Sequence, residues 1–234
     1  MKLFSKKLES RYDYLVSKEA PTSFVTEQLQ KMIVNLEYAN VDGQYKIIQF
    51  TSSMQSESKT TLISNVAYLL ASRGKRVLVV DLDLRRPKVN RIHSVVNKEG
   101  LADYLLGRID KKQLIRKSED GIDYIITGEK TTSVVQILES HKLKDLFENL
   151  RADYDYILLD TPPVIVVSDA LLINRIADGV VFVVAHGQAK KTMIKEAINS
   201  LTRNNCTIIG ICMTQDKVSK GKKYGYTYKY YSND

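Results

Sequence analysis

Short apolar runs alternate along this chain with longer stretches of helical period. Residues 46–50, 76–80, 123–127, 156–159, 180–185 and 207–213 read as strands. Residues 60–72, 138–150, 170–176 and 192–204 read as helices. Strands this continuously apolar are buried on both faces, and alternation with helices builds parallel βα units. The expected fold class is α/β: a mostly parallel sheet flanked by helices on both faces. In 60–72, Ile63, Val66, Ala67 and Leu70 recur at helical spacing, so a helix begins where Lys59 sits.

Three of the strands end in polar residues suited to phosphate and magnesium. The first leads into Lys59-Thr60-Thr61, the second into Asp81 and the fourth into Asp160. A lysine can hold β- and γ-phosphates, a hydroxyl can bind Mg²⁺, and carboxylates at strand ends can orient metal-bound water or a nucleophile. Ligands of such sheets bind beyond the carboxyl ends of the strands, so Lys59, Asp81, Asp83 and Asp160 are expected to converge on one crevice. The loop before Lys59, Gln55-Ser56-Glu57-Ser58, has no glycine where a phosphate-binding loop ordinarily does. A serine in a left-handed backbone geometry costs roughly 1–2 kcal/mol.

The stretch Asp81-Leu82-Asp83-Leu84-Arg85-Arg86-Pro87 places two carboxylates and two guanidiniums in seven residues after a strand. In phosphoryl transfer one carboxylate can accept a hydroxyl proton and an arginine can steady developing charge. Further on, Tyr156 to Leu159 delivers Asp160 at its tip, followed by Thr161-Pro162-Pro163.

The rest of the chain divides around this core. Residues 1–43 read as an appended helical segment, with Phe24, Leu29, Met32, Ile33 and Leu36 on one side, able to cover a sheet edge. Residues 44–216 read as one α/β domain carrying the strand-end motifs. In 217–234 glycine, lysine and tyrosine leave no apolar face to bury, and a disordered tail is expected. Its Tyr224, Tyr226, Tyr228, Tyr230 and Tyr231 are not core residues, and beside a kinase-like site they read as substrates.

Composition narrows the function classes less than the motifs do. A chain of 234 residues with 44% hydrophobic content supports one large domain and a tail. No apolar run reaches the roughly 18 residues of a membrane span, and no signal-peptide pattern opens the chain, which predicts a cytoplasmic protein. The net charge of +8 is spread along the sequence and does not by itself point to nucleic acid. Cys206 and Cys212 read as small packed hydrophobes, and His93, His141 and His186 are scattered without a converging partner.

Taken together, Lys59-Thr60-Thr61, the 79–87 element, the 157–163 element, Gly100 to Gly107 and the terminal tyrosines resemble the bacterial tyrosine kinases, of the separate-chain capsule or exopolysaccharide type of Gram-positive bacteria. The resemblance runs from about residue 27 to the C-terminus. It implies a P-loop-type α/β fold and an autokinase using ATP and Mg²⁺ to phosphorylate tail tyrosines between neighbouring subunits, in control of polysaccharide synthesis and export. It implies a cytoplasmic chain recruited to the inner face of the membrane by an activating transmembrane polysaccharide chain-length regulator. A cognate tyrosine phosphatase and neighbouring copies of the chain are the further partners, with no nucleic acid.

Carried onto this sequence, Gln55, Ser56, Glu57, Ser58, Lys59, Thr60 and Thr61 bind the nucleotide, and Thr60, Asp81 and Asp160 hold the metal. Lys59, Asp81, Asp83, Arg85 and Asp160 form the catalytic set. Gln30 and Ile33 stand where the family's subunit-packing helix carries arginines, and Thr214 stands where an asparagine usually meets adenine. The glycine-free loop keeps open a non-catalytic scaffold or phosphoacceptor as the alternative. A deviant-loop positioning ATPase of the partition or septum-site kind is the further one.

Overall fold

The computed structural model describes residues 15–215; the terminal tyrosines lie outside the described residues. Seven strands form one sheet: β1 (Ile47–Ser52), β2 (Val77–Asp81), β3 (Arg116–Lys117), β4 (Ile122–Ile125), β5 (Tyr156–Asp160), β6 (Gly179–Ala185) and β7 (Ile208–Thr214). Their order is β3-β4-β2-β5-β1-β6-β7. Every pairing is parallel except that of β3 with β4.

Helices α1 (Val16–Glu19), α2 (Phe24–Ala39) and α3 (Lys59–Ser72) belong to the first half of the chain. Then come α4 (Val89–Ile92), α5 (Leu101–Leu105), α6 (Lys111–Leu114), α7 (Val134–Leu138), α8 (His141–Leu150), α9 (Asp169–Ile173) and α10 (Lys191–Arg203).

The period of two along the strands sorts the core onto the two faces of the sheet. Ile48, Phe50, Val77, Val79, Leu158, Val181 and Val183 pack with Leu29, Ile33 and Leu36 of α2 and Ile63, Val66, Ala67 and Leu70 of α3. Ile47, Leu78, Val80, Ile157 and Leu159 turn to the other face, against α5, α7 and α8. Val180, Phe182 and Val184 continue that second layer under Ala197 and Leu201 of α10. The helix α3 is buried on nearly all sides because it lies between the sheet and α2.

The helix α2 packs on α3 and reaches the edge strand β7. Its N-cap is Ser23, whose side chain accepts from the Thr26 amide at 3.2 Å. Ile33 is fully buried in this core, which removes it from any surface that could meet a second copy. The helix expected at 138–150 is α8, which starts later, at His141 behind the cap Ser140, because Leu138 ends the separate short α7. Residues 82–121 resolve into three short helices and the antiparallel strand β3. Cys206 is buried and Cys212 partly so, both as free thiols.

Candidate active site

Parallel order brings the ends of β1, β2 and β5 side by side, with Asp81 directly opposite Asp160 in the β2–β5 register and Phe50 opposite Asp160 in β1–β5. The loop from β1 into α3 runs over these ends. Ser56 and Ser58 both adopt the left-handed conformation, at φ +64° and +63°. The strain expected of serine there is present in the backbone, and several contacts hold it in place.

The buried carboxylate of Glu57 accepts from the Met54 amide at 2.8 Å, the Ser53 hydroxyl at 3.1 Å and the Ala185 amide at 3.2 Å. Thr214 donates its hydroxyl to the Glu57 carbonyl at 2.9 Å. Gln215 Nε2 reaches both the Ser56 carbonyl and Ser58 Oγ. The Glu57 side chain thus braces the loop from behind, leaving that residue's backbone as its contribution to an anion site. Arg86 hydrogen-bonds the Gln55 side chain across the mouth.

At the head of α3, Lys59 is almost fully buried and donates to Ser52 Oγ at 3.0 Å. Burial pulls its pKa down, while Asp160 and Asp83 hold the charge in place. Thr60 Oγ1 donates to Asp160 Oδ2 at 2.5 Å. Burial raises the Asp160 carboxyl to about 6 against the opposing pull of Lys59 and the Thr60 hydrogen bond. The first turn of α3 adds its amides and the positive end of its dipole to this position.

The two acids of the β2 element have separate surroundings. Asp81 is fully buried, and its carboxylate accepts from the amides of Asp83 at 3.1 Å, Lys88 at 2.9 Å and Val89 at 3.0 Å. It shapes the loop after β2, and burial together with Asp160 raises its pKa well above the usual carboxylate range. Asp83 instead lines two adjoining cavities, of about 480 and about 300 Å³, which also share Ser56, Lys59, Lys88 and Arg91. Thr60, Thr61 and Asp160 line the smaller one, and Arg85 the larger.

Arg85 is held by a partner the sequence did not announce. Its guanidinium makes a two-pronged contact with the buried Asp169 at the start of α9, at 2.7 and 3.1 Å. Among the sequence-derived site residues within 15–215, the structure brings Lys59, Thr60, Asp83, Arg85 and Asp160 to one crevice, with Asp81 beneath it. Asp169, Gln215 and Ser52 are additions from the fold. No cluster of His, Cys, Asp and Glu suited to a protein-only metal cage occurs among the described residues. That is compatible with a cation held between one hydroxyl, one or two carboxylates and phosphate oxygens.

A sheet of this order with a lysine-bearing loop opening a buried helix defines a P-loop nucleotide-binding protein, and residues 45–208 match the AAA domain family. Tyrosine-protein kinase YwqD of Bacillus subtilis is 33% identical over 213 residues, covering 91% of this chain and 90% of that protein. Tyrosine-protein kinase ptk of Acinetobacter johnsonii is 30% identical over 178 residues, 76% of this chain but 24% of that longer protein. The crystal structure of the chimerical protein CapA2B2 superposes with a TM-score of 0.83 at 27% identity, over 86% of this chain and 89% of that one. The chain belongs to the bacterial tyrosine kinases of the AAA domain family.

Proposed function

We propose that the crevice around Lys59, Asp83 and Asp160 transfers the γ-phosphoryl group of ATP to Tyr224, Tyr226, Tyr228, Tyr230 and Tyr231. The chain then acts as an autokinase controlling capsular or exopolysaccharide synthesis and export. The observation that carries this reading is the 2.5 Å Thr60–Asp160 hydrogen bond beside the buried Lys59 ammonium. That set offers a cation for phosphate and a hydroxyl–carboxylate pair for a hard metal ion within one small cavity.

In this reading Lys59 leaves Ser52 to hold the β- and γ-phosphates, and the head of α3 supplies amides. Thr60 and Asp160 hold Mg²⁺, directly or through water, with Asp81 behind them. Magnesium held by these residues would supply positive charge against the negative charge developing on the transferring phosphoryl group. Asp83, open to the cavity, accepts the tyrosine hydroxyl proton, and Arg85, fixed by Asp169, faces the acceptor side. Activation comes from the cytoplasmic segment of a transmembrane chain-length regulator, which brings the kinase to the inner membrane face. No helix among the described residues is long and apolar enough to cross a membrane. A cognate phosphatase resets the tail. Neighbouring copies supply acceptor tails through a surface in which Glu27 and Gln30, not Ile33, are accessible.

Calorimetric titration of the full chain with Mg·ATP tests the site. Binding that weakens about 100-fold or more in Lys59→Ala supports it, on the scale of a buried charge contact to phosphate. Unchanged binding in that variant refutes it, and no binding by the parent chain favours the non-catalytic scaffold instead, to which the strained serines at φ +64° and +63° lend weight.

A further inference from the structure

Away from Thr60 and Asp160 the crevice opens into its larger cavity, of about 480 Å³, whose cations exceed its acids. Arg86, Lys88, Arg91 and Lys130 stand exposed around it, and Asp83 is the sole carboxylate in its lining. Among the described residues no ion pair engages any of these four cations. The Arg86 guanidinium hydrogen-bonds the neutral Gln55 side chain, while its backbone amide donates to the Asp83 carboxylate at 3.0 Å. Like charges crowded on a concave surface repel one another and concentrate field on an anion. Arg86 and Lys130 line the larger cavity and not the smaller, so they lie outside the pocket formed by Lys59, Thr60 and Asp160.

The unmodified tail carries the same sign as this cavity, and a phosphate gives it a local negative group. Residues 217–234 contain five lysines and one aspartate. Each phosphate adds roughly −1.5 to −2 charges and three strong acceptor oxygens, which an arginine and lysine rim accommodates. Tyr224, Tyr226, Tyr228 and Tyr230 recur at every second residue. In an extended peptide such residues share a side and are spaced roughly 6.5–7 Å apart. Asp83 sits in the wall common to both cavities.

We propose that the larger cavity is a phosphotyrosine subsite: it holds a tail that already carries one phosphate and presents the tyrosine two residues away to Asp83. The first transfer is then slow, made against charge repulsion, and later ones are fast. The inference rests on the autokinase reading for the origin of the phosphate, whereas the subsite can be tested without any transfer.

The test is fluorescence anisotropy of the full chain with labelled synthetic peptides of residues 217–234, unmodified or phosphorylated at Tyr228 alone. The expected result is about tenfold or more tighter binding of the phosphopeptide, the scale of one or two charge-assisted hydrogen bonds. It persists with a saturating non-hydrolysable Mg·ATP analogue, and it falls several-fold in Lys130→Ala and in Arg86→Ala. Both positions are exposed, so the fold is retained. Equal affinity for the two peptides, displacement by the nucleotide analogue, or displacement by inorganic phosphate at peptide concentrations each overturns the proposal. Because the phosphate arrives on the synthetic peptide, a chain that fails to bind Mg·ATP but passes this titration would refute the kinase site alone.

Discussion

The Gln215 side-chain amide donates to Ser58 Oγ at 2.7 Å and to the Ser56 carbonyl at 3.1 Å. One side chain, immediately after β7, thereby spans the two left-handed serines of the phosphate loop, and its own Oε1 accepts from Gln188 at 3.1 Å. A glycine loop needs no such support. Gln215→Ala is expected to weaken Mg·ATP binding about tenfold, by loss of hydrogen bonds worth roughly 1 kcal/mol each. Ser56→Gly, which removes a strained Cβ, is expected to raise the melting temperature and tighten nucleotide binding, since left-handed serine costs roughly 1–2 kcal/mol. Thermal unfolding and calorimetry of both variants check the pair, and a Ser56→Gly protein with lower affinity would contradict it.

Asp81 and Asp83 should separate cleanly. Asp81→Ala strips three backbone amides of their acceptor inside the core and is expected to destabilise the fold by about 2–4 kcal/mol. Asp83→Asn, at the cavity wall, is expected to leave the unfolding free energy within about 0.5 kcal/mol of the parent. That variant should lower phosphate transfer by about 10²-fold, the usual contribution of a positioned base. Chemical denaturation combined with initial rates distinguishes the two.

Burial raises the carboxyls of both Asp81 and Asp160, the latter to about 6 from 3.8. A group whose folded pKa lies above its unfolded value adds stability below the unfolded pKa and loses it as pH rises through the folded one. The metal-free protein is therefore expected to be more stable near pH 4.5 than near pH 7 as far as this pair is concerned. Asp160→Asn should flatten the slope between those values. Mg²⁺ with nucleotide, which favours the ionised form, should recover stability above about pH 6. Melting curves across pH, with and without Mg·ATP, measure this, and an unchanged slope in Asp160→Asn would contradict it.

The Arg85–Asp169 contact predicts that Asp169→Ala behaves as a positioning mutation. Transfer to the tail should slow by about tenfold with little change in Mg·ATP affinity, because Arg85 lines the larger cavity and not the smaller one beside Thr60 and Asp160. An equal loss in nucleotide affinity would place Arg85 at the triphosphate instead.

Much of this architecture was legible along the chain because β2, β5 and β6 are continuous apolar runs, and because β1, β2 and β5 lead into polar residues. The helical spacing of Ile63, Val66, Ala67 and Leu70 likewise located α3, where all four are fully buried. Residues 82–121 were opaque because helices of four or five residues are too short to show a period, and packing decides them. The separate surroundings of Asp81 and Asp83 depend on which way a loop turns, which two acids two residues apart do not reveal. The supports of the site were hidden for another reason: Asp169 lies 84 residues from Arg85, and Gln215 lies 157 from Ser58. Local spacing carries no trace of partners so distant.

The most direct measurement of the central claim is the mass of the C-terminal proteolytic peptide after the full chain is incubated with Mg·ATP and its activating segment. The account predicts phosphate on Tyr224 to Tyr231 in the parent chain and none in Lys59→Ala or Asp160→Asn. Equal phosphorylation of the Lys59→Ala chain, with no other kinase present, would contradict it.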